Sequence, residues 1–276
     1  MKNFIIRALT GIVFVAVIIG AICFHPVAYL CVFSIVILLI LREFYGLVGH
    51  YEETKIRRLA NCAAGVYLFA ASFTFAYGWG EKAVFYPYLL YIMYIFIGEL
   101  YYKAPNPISN WAFSFLGQVY YVLPFSLMNF ILFSETEEGI RSFEPFLLLS
   151  VFVFVWMSDT GAFLVGSLLG KHRLFERISP KKSWEGFFGG LFLALASSFL
   201  FCYFFPDTAW YVWMGLAFVI VLSGTWGDLT ESLLKRKLGV KDSGHMLPGH
   251  GGFLDRFDSV TMAVPAAFIY IQMLFR

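Results

Sequence analysis

Between Ser232 and Asp258 the chain reads SLLKRKLGVKDSGHMLPGHGGFLDRFD. Here Lys235, Arg236, Lys237, Lys241 and Arg256 crowd against Asp242, Asp255 and Asp258, with glycines, a proline and two histidines between them. Glycine lets backbone N–H groups approach an anion closely, and Lys and Arg neutralise it. Carboxylates among such cations are best explained by a hard metal such as Mg²⁺, which takes oxygen ligands and bridges to phosphates. The residue types describe a phosphate-plus-metal site; the plainer alternative is a solvated charged loop between two membrane helices.

Three further places carry polar chemistry inside apolar sequence. Ser158-Asp159-Thr160-Gly161 lies well within a long apolar run, twelve residues before Lys171, or ~18 Å of helix. An ionisable group at that depth is expected to be functional, or else a paired or protonated packing residue beside Gly161 and Gly166. The stretch Lys171–Gly190, KHRLFERISPKKSWEGFFGG, follows it. Pro180 prevents a continuous helix, Ser183 is placed to cap the next one, and Glu185 falls in its first turn. Lys181 and Lys182 then stand just before a helix N-terminus, which itself favours an anion; the alternative is a basic loop that only sets topology. Finally Asp228, Glu231, Ser232 and Lys235 are spaced i, i+3, i+4 and i+7, one face of a helix. Asp255 and Asp258, three apart, would point the same way on a helical turn.

The order of these residues resembles a known family. The pattern S-x-x-K-R-x4-K-D-x-G-x2-L-P-x-H-G-G-x-x-D-R-x-D, from Ser232 through Asp258, is similar to the signature of phosphatidate cytidylyltransferases, also called CDP-diacylglycerol synthases. The Ser-Pro-Lys-Lys-Ser-Trp-Glu-Gly run and the Asp-Thr-Gly-Ala-Phe run from Asp159 resemble two further blocks of that family. The resemblance implies an enzyme that joins CTP to phosphatidate, giving CDP-diacylglycerol and pyrophosphate. It implies Asp228 and Asp255 as Mg²⁺ ligands, a potassium ion beside the magnesium, and a homodimer. Asp228, Asp255, Asp258, Lys235 and Arg256 are expected to be catalytic. Asp159, Lys181, Lys182, Ser183, Ser232, Arg236, Lys241, Asp242, His250, Gly251 and Gly252 are expected to bind substrate. The attacking lipid phosphate is already anionic, so no general base is needed and His250 is given a hydrogen-bonding role. Two other readings stand beside this one: another CTP-using lipid enzyme (a polyprenol kinase or a CDP-archaeol synthase type), and a cation-coupled transporter using its intramembrane acids.

The elements that must position these residues are membrane helices. Of the 276 residues, 60% are hydrophobic and 14% charged, and the mean hydropathy is +0.75. Soluble domains carry roughly 25% charged residues, so an all-α polytopic integral membrane protein is expected, with no nucleic-acid partner. Apolar runs of spanning length fall at about 4–24, 27–41, 59–78, 83–101, 111–133, 145–169, 185–205, 209–234 and 259–275. They form a single transmembrane domain, 1–276, with 1–140 as scaffold and 141–276 as the half carrying the motifs. With the N-terminus inside, Lys82, Arg141 and Arg276 are the basic residues left outside among 20 Lys and Arg. That bias puts the N-terminus and the signature loop in the cytoplasm, in the inner membrane if the source is bacterial. The four cysteines have no C-x-x-C spacing and read as small buried hydrophobes.

Overall fold

Long apolar runs in lipid must satisfy their backbone N–H and C=O groups internally, and the helix does this within one segment. The structure, a computed structural model, describes residues 2–49, 51, 54–135, 141–244 and 251–275, of residues 2–8 the backbone alone. Among these residues the helices are α1 Lys2–Phe24, α2 Pro26–Val48, α3 Arg58–Tyr77, α4 Tyr86–Tyr102, α5 Pro107–Gly117, α6 Leu123–Leu132, α7 Pro145–Leu169, α8 Trp184–Phe204, α9 Trp210–Lys237 and α10 Val260–Leu274. A π-helical turn, Gln118–Val122, joins α5 to α6 in one run, and a 3₁₀ turn, Lys82–Phe85, leads into α4. Each of the nine expected spans thus coincides with one helical run. Seven of the described runs are long and apolar enough to cross a membrane, while Leu9–Phe24 and Val260–Leu274 are shorter apolar helices. The fold is the all-α polytopic membrane architecture expected.

Two details differ from the expectation. The second span does not end near residue 41: α2 continues through Arg42 and Glu43 to Val48. Two short hairpins also interrupt the helices, β1 Phe133–Glu135 with β2 Arg141–Phe143, and β3 Arg173–Phe175 with β4 Ser179–Ser183.

The chain divides into two units. The first comprises residues up to Pro145 together with Asp242–Arg256; the second comprises Phe146–Lys241 and Phe257–Arg276. In the first, Tyr29, Phe33, Phe69, Phe73 and Phe125 form an aromatic core with no exposed surface. Beside it Gln118 is buried, and its Nε2 donates to Tyr45 Oη (3.2 Å) and to the Asn61 carbonyl (2.8 Å). Tyr45 Oη in turn donates to the Ser114 carbonyl (2.9 Å), which ties α2, α3 and α5 together. Such closed networks are what an apolar surrounding demands of buried polar groups.

In the second unit α7 and α8 cross on glycine. A Cβ at Gly161 would stand 2.5 Å from the Gly189 carbonyl oxygen, and one at Gly190 would stand 2.6 Å from that of Ser158. The close approach expected at Gly161 and Gly166 is therefore made against Gly186, Gly189 and Gly190 of α8.

Candidate functional site

The second unit assembles its polar residues around the start of α8. Ser183 is the N-cap, its Oγ accepting the Gly186 N–H at 3.1 Å. The Trp184 N–H donates to the His172 carbonyl (2.9 Å), and the Glu185 carboxylate accepts the N–H groups of Lys171 and His172 (each 3.2 Å). The turn after α7 is thereby fastened to the first turn of α8. Lys181 and Lys182 lie on β4, which runs directly into that cap, rather than in an irregular loop. Lys181 is exposed; Lys182 forms an ion pair with Asp228 of α9.

On α9 the expected polar face is present. Ser232 Oγ donates to Asp228 Oδ1 (3.3 Å), and Lys235 Nζ pairs with Glu231 Oε1 (3.1 Å), Glu231 being fully buried. Gly227 permits the next contact: a Cβ there would lie 2.7 Å from the Asp258 carbonyl oxygen. The chain entering α10 thus runs close along α9. Asp258 feels the result. Loss of hydration first, then the carboxylates of Asp228 and Asp159, push its carboxyl well above the usual range, against the lowering effect of Lys235 and Lys182.

A cavity of about 560 Å³ opens among α7, β4, α8, α9 and the start of α10. Asp159, Arg173, Lys181, Lys182, Ser183 and Asp228 line it, together with apolar Val155, Phe163, Phe187, Ile220 and Val221. Charged groups beside an apolar wall suit a ligand with an anionic head and a hydrocarbon body. Of the other expected residues in this unit, Arg236 is exposed with its Nε 3.5 Å from the Ile178 carbonyl, and Lys241 is exposed at the unit's end.

The first unit holds Asp242, Gly251, Gly252, Asp255 and Arg256. Asp255 Oδ2 accepts the N–H of Ser243, the Oγ–H of Ser243 and the N–H of Gly252, each at 3.0 Å. The Gly252 amide, expected to face a phosphate, is thus committed to a carboxylate of the chain itself. Gly251 has φ +82°, a conformation that favours glycine. Asp242 and Arg256 are exposed. His250 lies outside the described residues, as do Leu247 and Pro248 of the signature. Sequence reasoning passed over Glu43, whose carboxylate accepts hydrogen bonds from Ser243, Phe253 and Leu254. Its one local signal is an acid beside Arg42 at the end of a long apolar run.

Does this donor set suit Mg²⁺? Among the described residues no three His, Cys, Asp or Glu side chains converge tightly enough to hold a metal by themselves. Mg²⁺ asks for less: it keeps several waters and needs one or two carboxylates plus substrate phosphates. Loss of hydration first, then the acids Asp228 and Asp159, hold the Asp258 carboxyl above its usual range, a setting that a bound cation would relieve, and Asp228 and Asp258 both offer hard oxygens. The residues fit.

The profile of the cytidylyltransferase family matches residues 5–274, nearly the whole chain. The chain belongs to the cytidylyltransferase family. It is 47% identical over 141 residues to a phosphatidate cytidylyltransferase of Staphylococcus aureus (strain COL), covering 50% of this chain and 52% of that protein. A phosphatidate cytidylyltransferase of Staphylococcus epidermidis is 48% identical over 141 residues, with the same coverage. One from Haemophilus influenzae is 47% identical over 127 residues, 44% of this chain and 43% of the relative. The match spans about half the length of these relatives.

Proposed function

We propose that this chain transfers the cytidylyl group of CTP to phosphatidate, giving CDP-diacylglycerol and pyrophosphate. The observation that carries the reading is the cavity of the second unit, in which Lys181, Lys182, Arg173 and Asp228 share a wall with Val155, Phe163 and Phe187. Membership of the cytidylyltransferase family and the printed names of the relatives support it.

In the proposed reaction a phosphate oxygen of the lipid attacks the α-phosphorus of CTP, a P–O bond forms, and the bond to pyrophosphate breaks in line. Both reactants are strongly anionic, so positioning and charge neutralisation carry most of the catalysis. Lys181, Lys182 and Arg173 meet the phosphates, Ser183 holds the α8 N-terminus toward them, and the apolar wall takes the first carbons of the lipid chains. Lys182, which pairs with Asp228, can turn from it to a phosphate oxygen of the substrate. Asp228 and Asp255, by resemblance, and Asp258, by its place beside Asp228, are the residues that would hold Mg²⁺. When bound, the metal neutralises nucleotide phosphates and the leaving pyrophosphate. The potassium ion and the homodimer implied by the resemblance belong to the same proposal. So does a site opening to the cytoplasm, where CTP is made.

The test is incorporation of label from [α-³²P]CTP into lipid by membranes containing the protein, with phosphatidate and Mg²⁺. Label in a chloroform-soluble CDP-lipid, with one pyrophosphate released per transfer, is expected. A label that enters lipid only from the γ position would instead make the chain a kinase.

A further inference from the structure

We propose that Glu43, on α2, is a positioning residue for the described ends of the segment after α9, Ser243 and Phe253–Asp255; this rests on the reading that Asp255 serves the reaction. Glu43 is buried, far from this segment in sequence, and has no place in the mechanism above. Both of its oxygens are nonetheless engaged by that segment. Oε1 accepts the Phe253 N–H (3.0 Å), and Oε2 accepts the Leu254 N–H (3.0 Å) and the Ser243 Oγ–H (3.1 Å).

Ser243 is the link. Its N–H donates to Asp255 Oδ2, and its Oγ stands 3.0 Å from that oxygen and 3.1 Å from Glu43 Oε2. One hydroxyl proton is therefore shared between two carboxylates. Glu43 holds the two ends of the segment, Ser243 and Phe253–Leu254, and through Ser243 it orients Asp255. The glycines here answer to the same carboxylate. A Cβ at Gly252 would collide with Glu43 Oε2 and Ser243 Oγ, and one at Gly244 would lie 2.7 Å from Glu43 Oε1. Residues that the sequence offers as a phosphate cradle thus make room for an acid of the first unit. An N–H that has a buried carboxylate as partner is strongly held, because the bond is charge-assisted. A group that fixes a catalytic side chain in this way commonly contributes about 10- to 100-fold to activity.

The experiment uses the full chain in lipid nanodiscs, with Glu43→Gln and Ser243→Ala. Three quantities are read: kcat against KM for CTP, the Mg²⁺ concentration for half-maximal rate, and amide exchange of Phe253 and Leu254 without substrate or metal. Glu43→Gln places an amide NH₂ where an acceptor is needed. Its kcat is expected to fall about 10- to 100-fold with KM for CTP little changed, while both amides exchange faster. Ser243→Ala leaves both backbone bonds to Glu43 in place and is expected to lower kcat and raise the Mg²⁺ requirement without changing amide exchange at Phe253 and Leu254. Wild-type exchange at those amides in Glu43→Gln, or wild-type kcat in that variant, overturns the proposal. If Glu43→Gln does not fold, Ser243→Ala decides: unaltered kcat and Mg²⁺ response overturn it. Should the wild-type protein make no CDP-lipid, the proposed function falls, and exchange at Phe253 and Leu254 still decides whether Glu43 holds the segment.

Discussion

At the scale of single residues, the acids divide by what they touch. Asp228 has Lys182 and Ser232 as partners, and Asp258 lies under the influence of Asp228 and Asp159. Asp255 is oriented by Ser243 and Gly252. If Asp228 and Asp255 ligate Mg²⁺, then Asp228→Asn and Asp255→Asn each keep size but delete a charge, and turnover should fall ~10²-fold or more. Asp258→Asn should lose less, since burial and the neighbouring acids already favour the neutral form of its carboxyl. Asp207→Asn, an exposed acid in the turn before α9, is the control and should be neutral. Purified variants assayed across a Mg²⁺ titration decide this; near-normal turnover with unchanged Mg²⁺ dependence in Asp228→Asn and Asp255→Asn would remove the metal assignment. Lys182→Met tests the cation: KM for the anionic substrates should rise, because the lysine paired with Asp228 is gone. Much of this was legible in sequence. The α9 face follows from spacing alone, and Asp159 announces itself as an acid in an apolar run. Glu43 does not, because its partners lie 200 or more positions away and no periodicity reports a contact at that range.

Elements explain why those residues hold their places. Ser183 illustrates what local sequence can foretell: a hydroxyl after Pro180-Lys-Lys and before an apolar run is a cap, and the cap is there. Ser183→Ala should cost ~0.5–2 kcal/mol by releasing the Gly186 N–H. Thermal unfolding in detergent would register it, with lower affinity for CTP if the α8 N-terminus faces phosphate. The hairpin that carries Lys181 and Lys182 was not foretold, since strands of three and five residues leave no alternation long enough to read. The α7–α8 crossing supplies a sharper test. Gly190 does not line the cavity, yet a Cβ there would stand 2.6 Å from the Ser158 carbonyl oxygen. Gly190→Ala must therefore push α8 from α7, at a cost of about 1–3 kcal/mol for overpacking. Because Asp159 lines the cavity from α7, and Gly186 and Phe187 line it from α8, activity should fall as well. A variant with wild-type melting and activity would mean that the two helices slide without consequence.

The whole chain must also face the right way, and its charges make a prediction about that. CTP is water-soluble and phosphatidate is a lipid, so the proposed reaction needs a cavity open to the compartment that holds the nucleotide. Among the described residues nine helical runs put residues 2 and 275 on opposite sides of a bilayer if each run crosses it. Lys171, Arg173, Arg177, Lys181 and Lys182 then share a side with Lys235, Arg236, Lys237 and Lys241, while Glu135, Glu144 and Asp207 fall on the other. Such an excess of Lys and Arg is expected on the cytoplasmic side. A cysteine at Lys237, in a variant freed of its four native cysteines, should be labelled by a membrane-impermeant maleimide only after the cytoplasmic face is opened. A cysteine at Asp207 should be labelled in intact cells. Labelling of Lys237→Cys from outside would put the basic cluster, and with it Lys181 and Lys182, where no CTP is made. The proposed reaction would then lack its nucleotide, however well the cavity suited a phospholipid. The expected pattern leaves the cluster where it can meet two kinds of phosphate at once, one from water and one from the inner leaflet.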